Sequence, residues 1–276
     1  METFGQRLTD AIGKRGPLCV GIDPHPALLA RWELGDDVAG LERFARTVVD
    51  ALADRVAVIK PQSAFFERFG SRGVAILEST IRQLREAGAL VLLDVKRGDI
   101  GSTMAAYASA YLDPASSLSA DAITVSPYLG VGSLQPAFDL AAANGAGVFV
   151  LALTSNPEGA TVQHAVGSDG RTVAQRVIDE ISQLNSGAQP LGNLGLVVGA
   201  TIGRTGHDLS HVNGPLLAPG LGAQGATPSD LRAVFGESLR NVLPSYSREV
   251  LNAGPSVSAL RDAADRAVDD CRAALG

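Results

Sequence analysis

A cluster of lysine and aspartate residues near the ends of two apolar segments is the part of the sequence best suited to chemistry. The stretch Leu92–Thr103 reads LLDVKRGDIGST and contains Asp94, Lys96 and Asp99. A fourth charged residue, Lys60, ends the preceding apolar segment, VAVIK. Side chains two residues apart on a strand share a face, so we expect Asp94 and Lys96 to point the same way. An ammonium group held between carboxylates stays protonated, can stabilise a carbanion and can then donate a proton to it. The alternative is an ion-pair lattice with a purely structural role.

Glycines late in the chain form a second candidate site. The stretch Pro219–Ala226, PGLGAQGA, contains a G-x-G-x-x-G pattern, which alone is a weak indication of a dinucleotide-binding turn. Such a turn is expected near the first strand of its unit, with an acidic residue ending the next strand. Here the pattern comes late, and the next apolar segment leads to Arg248. Glycines let backbone N–H groups approach an anion closely, so this loop, with Gln224 and Arg248, is predicted to bind a single phosphate group.

Eight short apolar segments separated by helix-like segments must position these residues. The predicted strands are Leu18–Asp23, Val56–Lys60, Ala89–Asp94, Asp121–Ser126, Gly147–Leu153, Leu194–Ala200, Pro215–Pro219 and Leu239–Ser245. The clearest helical patterns are Leu41–Ala53, Ser71–Ala87 and Thr172–Leu184. Continuous apolar strands that alternate with helices indicate a parallel sheet, and eight such units in about 250 residues predict a (β/α)8 TIM barrel. A doubly wound sheet is the alternative, because the eighth strand is the weakest prediction.

Polar residues at the ends of the strands support the barrel, because all strand ends of a barrel meet on one face, where active sites lie. We predict a single domain over residues 1–276, with N-terminal and C-terminal helices packed on the barrel. The loops after the seventh and eighth strands of such barrels often bind phosphate, which agrees with the glycine-rich loop.

Composition excludes several classes of function. The 276 residues carry a net charge of −6 and offer no extended basic face, so nucleic acid is an unfavourable partner. No apolar run approaches the roughly 20 residues that span a membrane. Only two cysteines occur, Cys19 and Cys271, which favours a reducing cytoplasm over a disulfide framework.

His207 and His211 have the spacing of a helical metal pair but lack a third ligand in sequence, so we interpret them as surface residues.

Four motifs together resemble the orotidine 5′-phosphate decarboxylase family. They are LLDVKRGDIGST, GIDPH at 21–25, VIKPQSAFFE at 58–67 and APGLGAQGA at 218–226. The resemblance covers the chain from the first predicted strand to the eighth. The Lys-Arg-Gly-Asp-Ile sequence resembles a longer bacterial subgroup. The resemblance implies a (β/α)8 barrel, a homodimer, and the conversion of orotidine 5′-phosphate to UMP and carbon dioxide, which ends de novo pyrimidine synthesis. It also implies that neither a metal nor an organic cofactor is needed.

The resemblance assigns catalytic roles to the charged residues. It implies that Lys60, Asp94, Lys96 and Asp99 form one charged array. Lys96 would donate the proton to C6 of the pyrimidine ring. Asp99 and Thr103 would reach into the active site of the partner subunit.

Substrate-binding roles follow from the same resemblance. Asp23 would bind the ribose, and Pro219, Gln224 and Arg248 would line the pyrimidine–phosphate end of the site. Ser126 would contact the ring, at a position where asparagine is commoner in the subgroup.

Two other functions are compatible with parts of the pattern. Magnesium-dependent sugar-phosphate lyases use a similar Asp-x-Lys-x-x-Asp strand, but they typically carry threonine where this chain has Arg97, and they need a further acidic ligand. A barrel that binds a phosphorylated ligand without catalysis would not be expected to retain the four charged residues.

Overall fold

Eight parallel strands close into a barrel in which each strand pairs with the next and the last pairs with the first. The computed structural model describes residues 2–203, 205–223 and 225–276. The strands are β1 Cys19–Ile22, β2 Val58–Pro61, β3 Leu90–Arg97, β4 Ala122–Val125, β5 Gly147–Leu153, β6 Leu194–Val198, β7 Leu216–Pro219 and β8 Val242–Tyr246. The predicted (β/α)8 TIM barrel is therefore confirmed, and the doubly wound alternative is wrong because β1 and β8 pair.

Helices cover the outside of the barrel. They are α1 Phe4–Arg15, α2 Pro26–Arg31, α3 Val38–Leu52, α4 Ser63–Glu67, α5 Gly70–Glu86, α6 Gly101–Leu112, α7 Gln135–Asn144, α8 Ala160–Gln163, α9 Val173–Leu184, α10 Leu231–Phe235, α11 Arg248–Leu251 and α12 Val257–Leu275. The three clearest helical predictions correspond to α3, α5 and α9 within a few residues. Across the part of the chain that the structure describes, no helix has both the length and the apolarity needed to cross a membrane.

The first helix, α1, closes the N-terminal end of the barrel. Phe4 and Leu8 are fully buried, and the ring of Phe4 meets that of Phe149 edge to face, with centroids 5.9 Å apart. A Cβ atom on Gly147 would come within 2.4 Å of the Phe4 ring, so the close approach of α1 requires glycine there. The barrel is thus filled from below by apolar side chains, and its polar residues lie at the opposite, C-terminal end.

Most strands lie within two residues of their predicted bounds, and the two that differ by three residues at one end do so for identifiable reasons. β3 continues three residues beyond Asp94, to Arg97, through an irregularity in its pairing with β4. β8 begins at Val242 instead of Leu239, because residues 236–241 form a short 3₁₀-helix. The first difference matters for function, since it places Lys96 inside a strand.

Candidate active site

A cavity of about 390 Å³ opens at the C-terminal ends of the strands. Six of the residues predicted from the sequence line it: Asp23, Lys60, Asp94, Lys96, Pro219 and Arg248. They come from β2, β3 and β7 and from the segments that directly follow β1 and β8, which are distant in sequence. Barrel closure is what brings them together, because it directs the ends of parallel strands to one face.

The carboxylate of Asp94 is the centre of the charged array. Its Oδ2 atom accepts a hydrogen bond from Lys60 Nζ at 3.1 Å, and its Oδ1 atom accepts one from Lys96 Nζ at 2.6 Å. The hydroxyl of Thr124 also donates to Oδ1, at 2.7 Å. Lys60 and Asp94 are buried, whereas 45% of the Lys96 side chain is exposed. Lys96 is therefore the ammonium group of this array that is most available to a ligand.

Electrostatics keep this array charged. Burial alone would raise the pKa of Asp94, but the Lys60 and Lys96 ammonium groups outweigh it and hold that pKa well below its usual range. Burial alone would likewise lower the pKa of Lys60, but the carboxylates of Asp94 and Asp23 raise it above its usual value. Each charge is thus maintained by its neighbours, as a preorganised electrostatic site requires.

A bulge in β3 directs Lys96 to its place. Leu93 pairs with Ile123 and Arg97 pairs with Val125, so three residues of β3 face the single residue Thr124 of β4. The surplus is absorbed at Lys96, whose φ of 44° lies in the left-handed region. Its backbone N–H donates to the Thr124 hydroxyl at 3.0 Å. Thr124 therefore supports both the backbone of Lys96 and the carboxylate that its side chain contacts.

Three buried polar atoms in the cavity lining have no hydrogen-bond partner among the described residues. They are Asp23 Oδ1, Gln62 Oε1 and Ser247 Oγ, and all three residues line the cavity. Buried polar groups are almost always paired, because leaving one unpaired costs on the order of 1–3 kcal/mol. Two acceptors and a hydroxyl on residues that line one cavity are suited to binding a ligand rich in hydroxyl groups.

The glycine-rich loop after β7 forms the other side of the cavity. Pro219, Gly220 and Arg248 contribute to the lining. Gly222 has a φ of 69°, and a Cβ atom there would come within 2.7 Å of Glu249 Cβ, so the loop can pack on α11 only with glycine at this position. Arg248 is exposed and makes no ion pair with any described residue. Gln224 lies outside the described residues.

Three other predicted residues lie outside this lining. Asp99 is half-buried, and its Oδ1 atom accepts a hydrogen bond from the backbone N–H of Ile100 at 2.8 Å. Thr103 is exposed in the first turn of α6. Ser126 directly follows β4 and donates its backbone N–H to the Arg97 carbonyl at 2.8 Å. Within one chain these residues do not meet the cavity, and their roles stay predictions.

The structure adds lining residues that the sequence analysis did not assign. Gln62 lies two residues after Lys60 and shares its face of the chain. Ser245 and Ser247 alternate in the same way at the end of β8, and His25 packs against Phe65 with ring centroids 4.3 Å apart. A two-residue period at each strand end could have indicated Gln62 and the two serines. Thr124 could have been placed inward on β4 by the same rule.

Comparisons with known proteins agree with this geometry. Residues 16–263 match the model of the "Orotidine 5'-phosphate decarboxylase / HUMPS family". The chain is 78% identical over 275 residues to the orotidine 5′-phosphate decarboxylase of Salinispora tropica, covering 100% of this chain and 99% of that protein. It is 65% identical over 276 residues to that of Streptomyces coelicolor, covering 100% and 99%.

A solved structure is similar over the same length. The crystal structure assigned as an orotidine 5′-phosphate decarboxylase from Streptomyces avermitilis superposes with a TM-score of 0.97 at 64% identity, covering 100% of this chain and 96% of that chain. Family match, full-length relatives and barrel geometry agree, and the chain belongs to the orotidine 5′-phosphate decarboxylase / HUMPS family.

Proposed function

We propose that this protein is a carboxy-lyase that converts orotidine 5′-phosphate to UMP and carbon dioxide, the closing step of pyrimidine nucleotide synthesis. The observation that carries the proposal is the Lys60–Asp94–Lys96 array at the mouth of the barrel, in which Lys96 is the partly exposed ammonium group. A fixed cation of this kind suits a reaction that generates a carbanion. The relatives named above support the substrate and the reaction.

The cavity offers complementary groups to each part of the substrate. The carboxylate of Asp23 and the unpaired atoms of Gln62 and Ser247 are suited to the ribose hydroxyl groups. The guanidinium group of Arg248 binds the phosphate, with the glycine-rich loop beside it. By family resemblance, Gln224 and Pro219 complete the pyrimidine–phosphate end, and Ser126 contacts the ring.

The chemistry requires a stabilised carbanion and a proton. The bond between C6 and the carboxylate breaks, its electron pair stays on C6, and carbon dioxide leaves. Lys96 stabilises the negative charge and then transfers one ammonium proton to C6, which yields UMP. Neutral Lys96 regains a proton from water before the next cycle. Asp94 holds Lys96 in place throughout, at 2.6 Å.

A second copy of the chain completes the site in this proposal. Asp99 lies past the end of β3 and bonds only within its own loop among the described hydrogen bonds. Next to it, Ile100 is exposed, and so are Tyr128 and Leu129 after β4. Exposed apolar side chains of this size favour burial against another protein surface. A two-fold homodimer buries this patch and lends Asp99 and Thr103 reciprocally to the partner site.

The proposed reaction proceeds without a metal or an organic cofactor, because Lys96 supplies the cation. The test follows the loss of orotidine 5′-phosphate absorbance by the purified protein with and without EDTA. Turnover that EDTA leaves unchanged is the expected result. Turnover that EDTA abolishes and Mg²⁺ restores would place the protein among the metal-dependent lyases, and no turnover in either arm would refute the proposal. The buried free thiols of Cys19 and Cys271 support a cytoplasmic enzyme.

A further inference from the structure

Arg97, the residue after the proposed proton donor, is held by two helices behind the active site. Its Nη2 atom donates to Glu67 Oε1 in α4 at 2.6 Å, and its Nε atom donates to the hydroxyl of Tyr111 in α6 at 3.3 Å. The guanidinium carbon also lies 5.6 Å from the ring centroid of Tyr107. Ser63 donates a hydrogen bond to the same Glu67 oxygen, at 2.5 Å, which fixes the acceptor. These contacts bind the end of β3 to the helices that follow β2 and β3.

The contacts of Arg97 with Glu67 and Tyr111, which we call the Arg97 clamp, lie directly beside a strained residue. Lys96 has a φ of 44°, a left-handed conformation that strains the backbone of any residue with a Cβ atom. The surrounding structure must therefore hold it there. On one side its N–H is bonded to Thr124. On the other side the pairing of β3 with β4 continues at Arg97, whose carbonyl accepts a hydrogen bond from the Ser126 N–H at 2.8 Å.

We propose that Arg97 is a positioning residue: its clamp to Glu67 and Tyr111 holds the left-handed bulge that aims the Lys96 ammonium group at Asp94 and the substrate. The expected effect of Arg97 on catalysis rests on the proposed function. Its expected effect on the backbone of Lys96 rests only on the geometry of the bulge. The Arg97 side chain does not line the cavity, so its effect on the reaction passes through Lys96. A guanidinium group suits this role better than an ammonium group, because its fork serves two acceptors in fixed directions.

The kinetic test compares two substitutions at Arg97 with a matched control. Arg97→Met removes the charge and keeps most of the length, and Arg97→Lys keeps the charge but cannot serve both acceptors. The control is Arg7→Met: Arg7 pairs with Asp121 at 2.5 Å at the opposite end of the barrel. The two arginine side chains are similarly exposed, 27% for Arg7 and 29% for Arg97.

We expect Arg97→Met to lower kcat by about 10- to 100-fold, because small displacements of a reacting group have effects of this size. KM for orotidine 5′-phosphate should stay within about threefold, since the arginine does not contact the substrate. Arg97→Lys should restore part of kcat, and Arg7→Met should leave kcat unchanged. A folded Arg97→Met variant with wild-type kcat, an effect confined to KM, or an equal loss in Arg7→Met would overturn the proposal.

A melting experiment tests the clamp without any catalytic readout. Lys96→Gly and Lys96→Ala remove the same charge, but only glycine accepts a positive φ without strain. With Arg97 present, the glycine variant should melt higher than the alanine variant by about 2–4 °C. In the Arg97→Met background the difference should shrink towards zero, because the released strand can relax. An unchanged difference would show that Arg97 does not hold the bulge. If the wild type failed to decarboxylate orotidine 5′-phosphate, only the proposed function would fall, and this comparison would still decide the role of Arg97.

Discussion

Replacing Asp94 with asparagine should destabilise the fold strongly as well as abolish catalysis. The substitution keeps the shape of the side chain but removes the charge that two ammonium groups share. Lys60 Nζ lies 3.1 Å from the carboxylate and Lys96 Nζ lies 2.6 Å from it. Lys60 and Asp94 are 7% and 8% exposed, so little water can reach Lys60 to replace the lost carboxylate.

The magnitude follows from this burial. Removing one member of a buried ion pair costs about 3–5 kcal/mol, because the remaining charge stays desolvated after its nearest partner is lost. Lys96 contributes little to this loss, since nearly half of its side chain reaches solvent. For a chain longer than 250 residues, 1 kcal/mol shifts the melting temperature by about 2 °C, so Asp94→Asn should melt about 6–10 °C below the wild type.

The stability lost in Asp94→Asn should be smaller at strongly acidic and strongly alkaline pH than at neutral pH. The pKa of Asp94 is depressed in the folded state, so its contribution is present above the unfolded value of about 4 and is lost as the pH falls through the folded value. The pKa of Lys60 is raised in the folded state, so its contribution is present below about pH 10 and is lost as the pH rises further. The difference in the free energy of unfolding between wild type and variant should therefore be largest between about pH 4 and pH 10.

Guanidinium chloride unfolding, followed by circular dichroism at fixed protein concentration and several pH values, measures this difference. Asp265→Asn is the control, because it breaks the half-exposed pair with Arg55 and should cost less than about 1 kcal/mol. The reasoning is refuted if Asp94→Asn costs no more than the control, or if its cost does not change between neutral and acidic pH.

Three further predictions concern substrate binding and the shared site. Arg248→Ala should weaken the binding of orotidine 5′-phosphate by about 2–4 kcal/mol but barely affect a ligand without the phosphate, and equal losses in a titration of both ligands would contradict a phosphate contact. Lys96→Ala should nearly abolish turnover while still binding UMP, as measured by calorimetry, and loss of both would indicate a binding role instead. Inactive Lys96→Ala and Asp99→Ala proteins, mixed so that subunits exchange, should recover roughly a quarter of wild-type activity. About half of the dimers are then mixed, and in each of them one of the two sites combines an intact Lys96 with an intact Asp99 from the partner. Verified exchange without recovery would show that Asp99 does not act in the partner's site.

The sequence by itself determined the architecture and the charged centre of the site. Apolar strands and amphipathic helices repeat along the chain, and this local periodicity predicts the barrel, because each element carries its own burial pattern. Lys60, Asp94 and Lys96 could be assigned for the same reason: each lies at or just beyond the end of a predicted strand, and strand ends in a barrel meet on one face. The prediction of a phosphate-binding side rests on the glycines and on Arg248, whose chemistry is also readable locally, and it stays a prediction.

The tertiary structure alone decided how these residues are held. The left-handed backbone conformation of Lys96 follows from the pairing of β3 with β4, where three residues face Thr124. No sequence pattern within β3 predicts this conformation. The clamp on Arg97 likewise joins it to Glu67, 30 positions earlier. Such contacts depend on register between strands and on the packing of helices that are distant in sequence. Local periodicity specifies which face of each element is buried, whereas the exact partners across a closed barrel are set only when all eight strands pair.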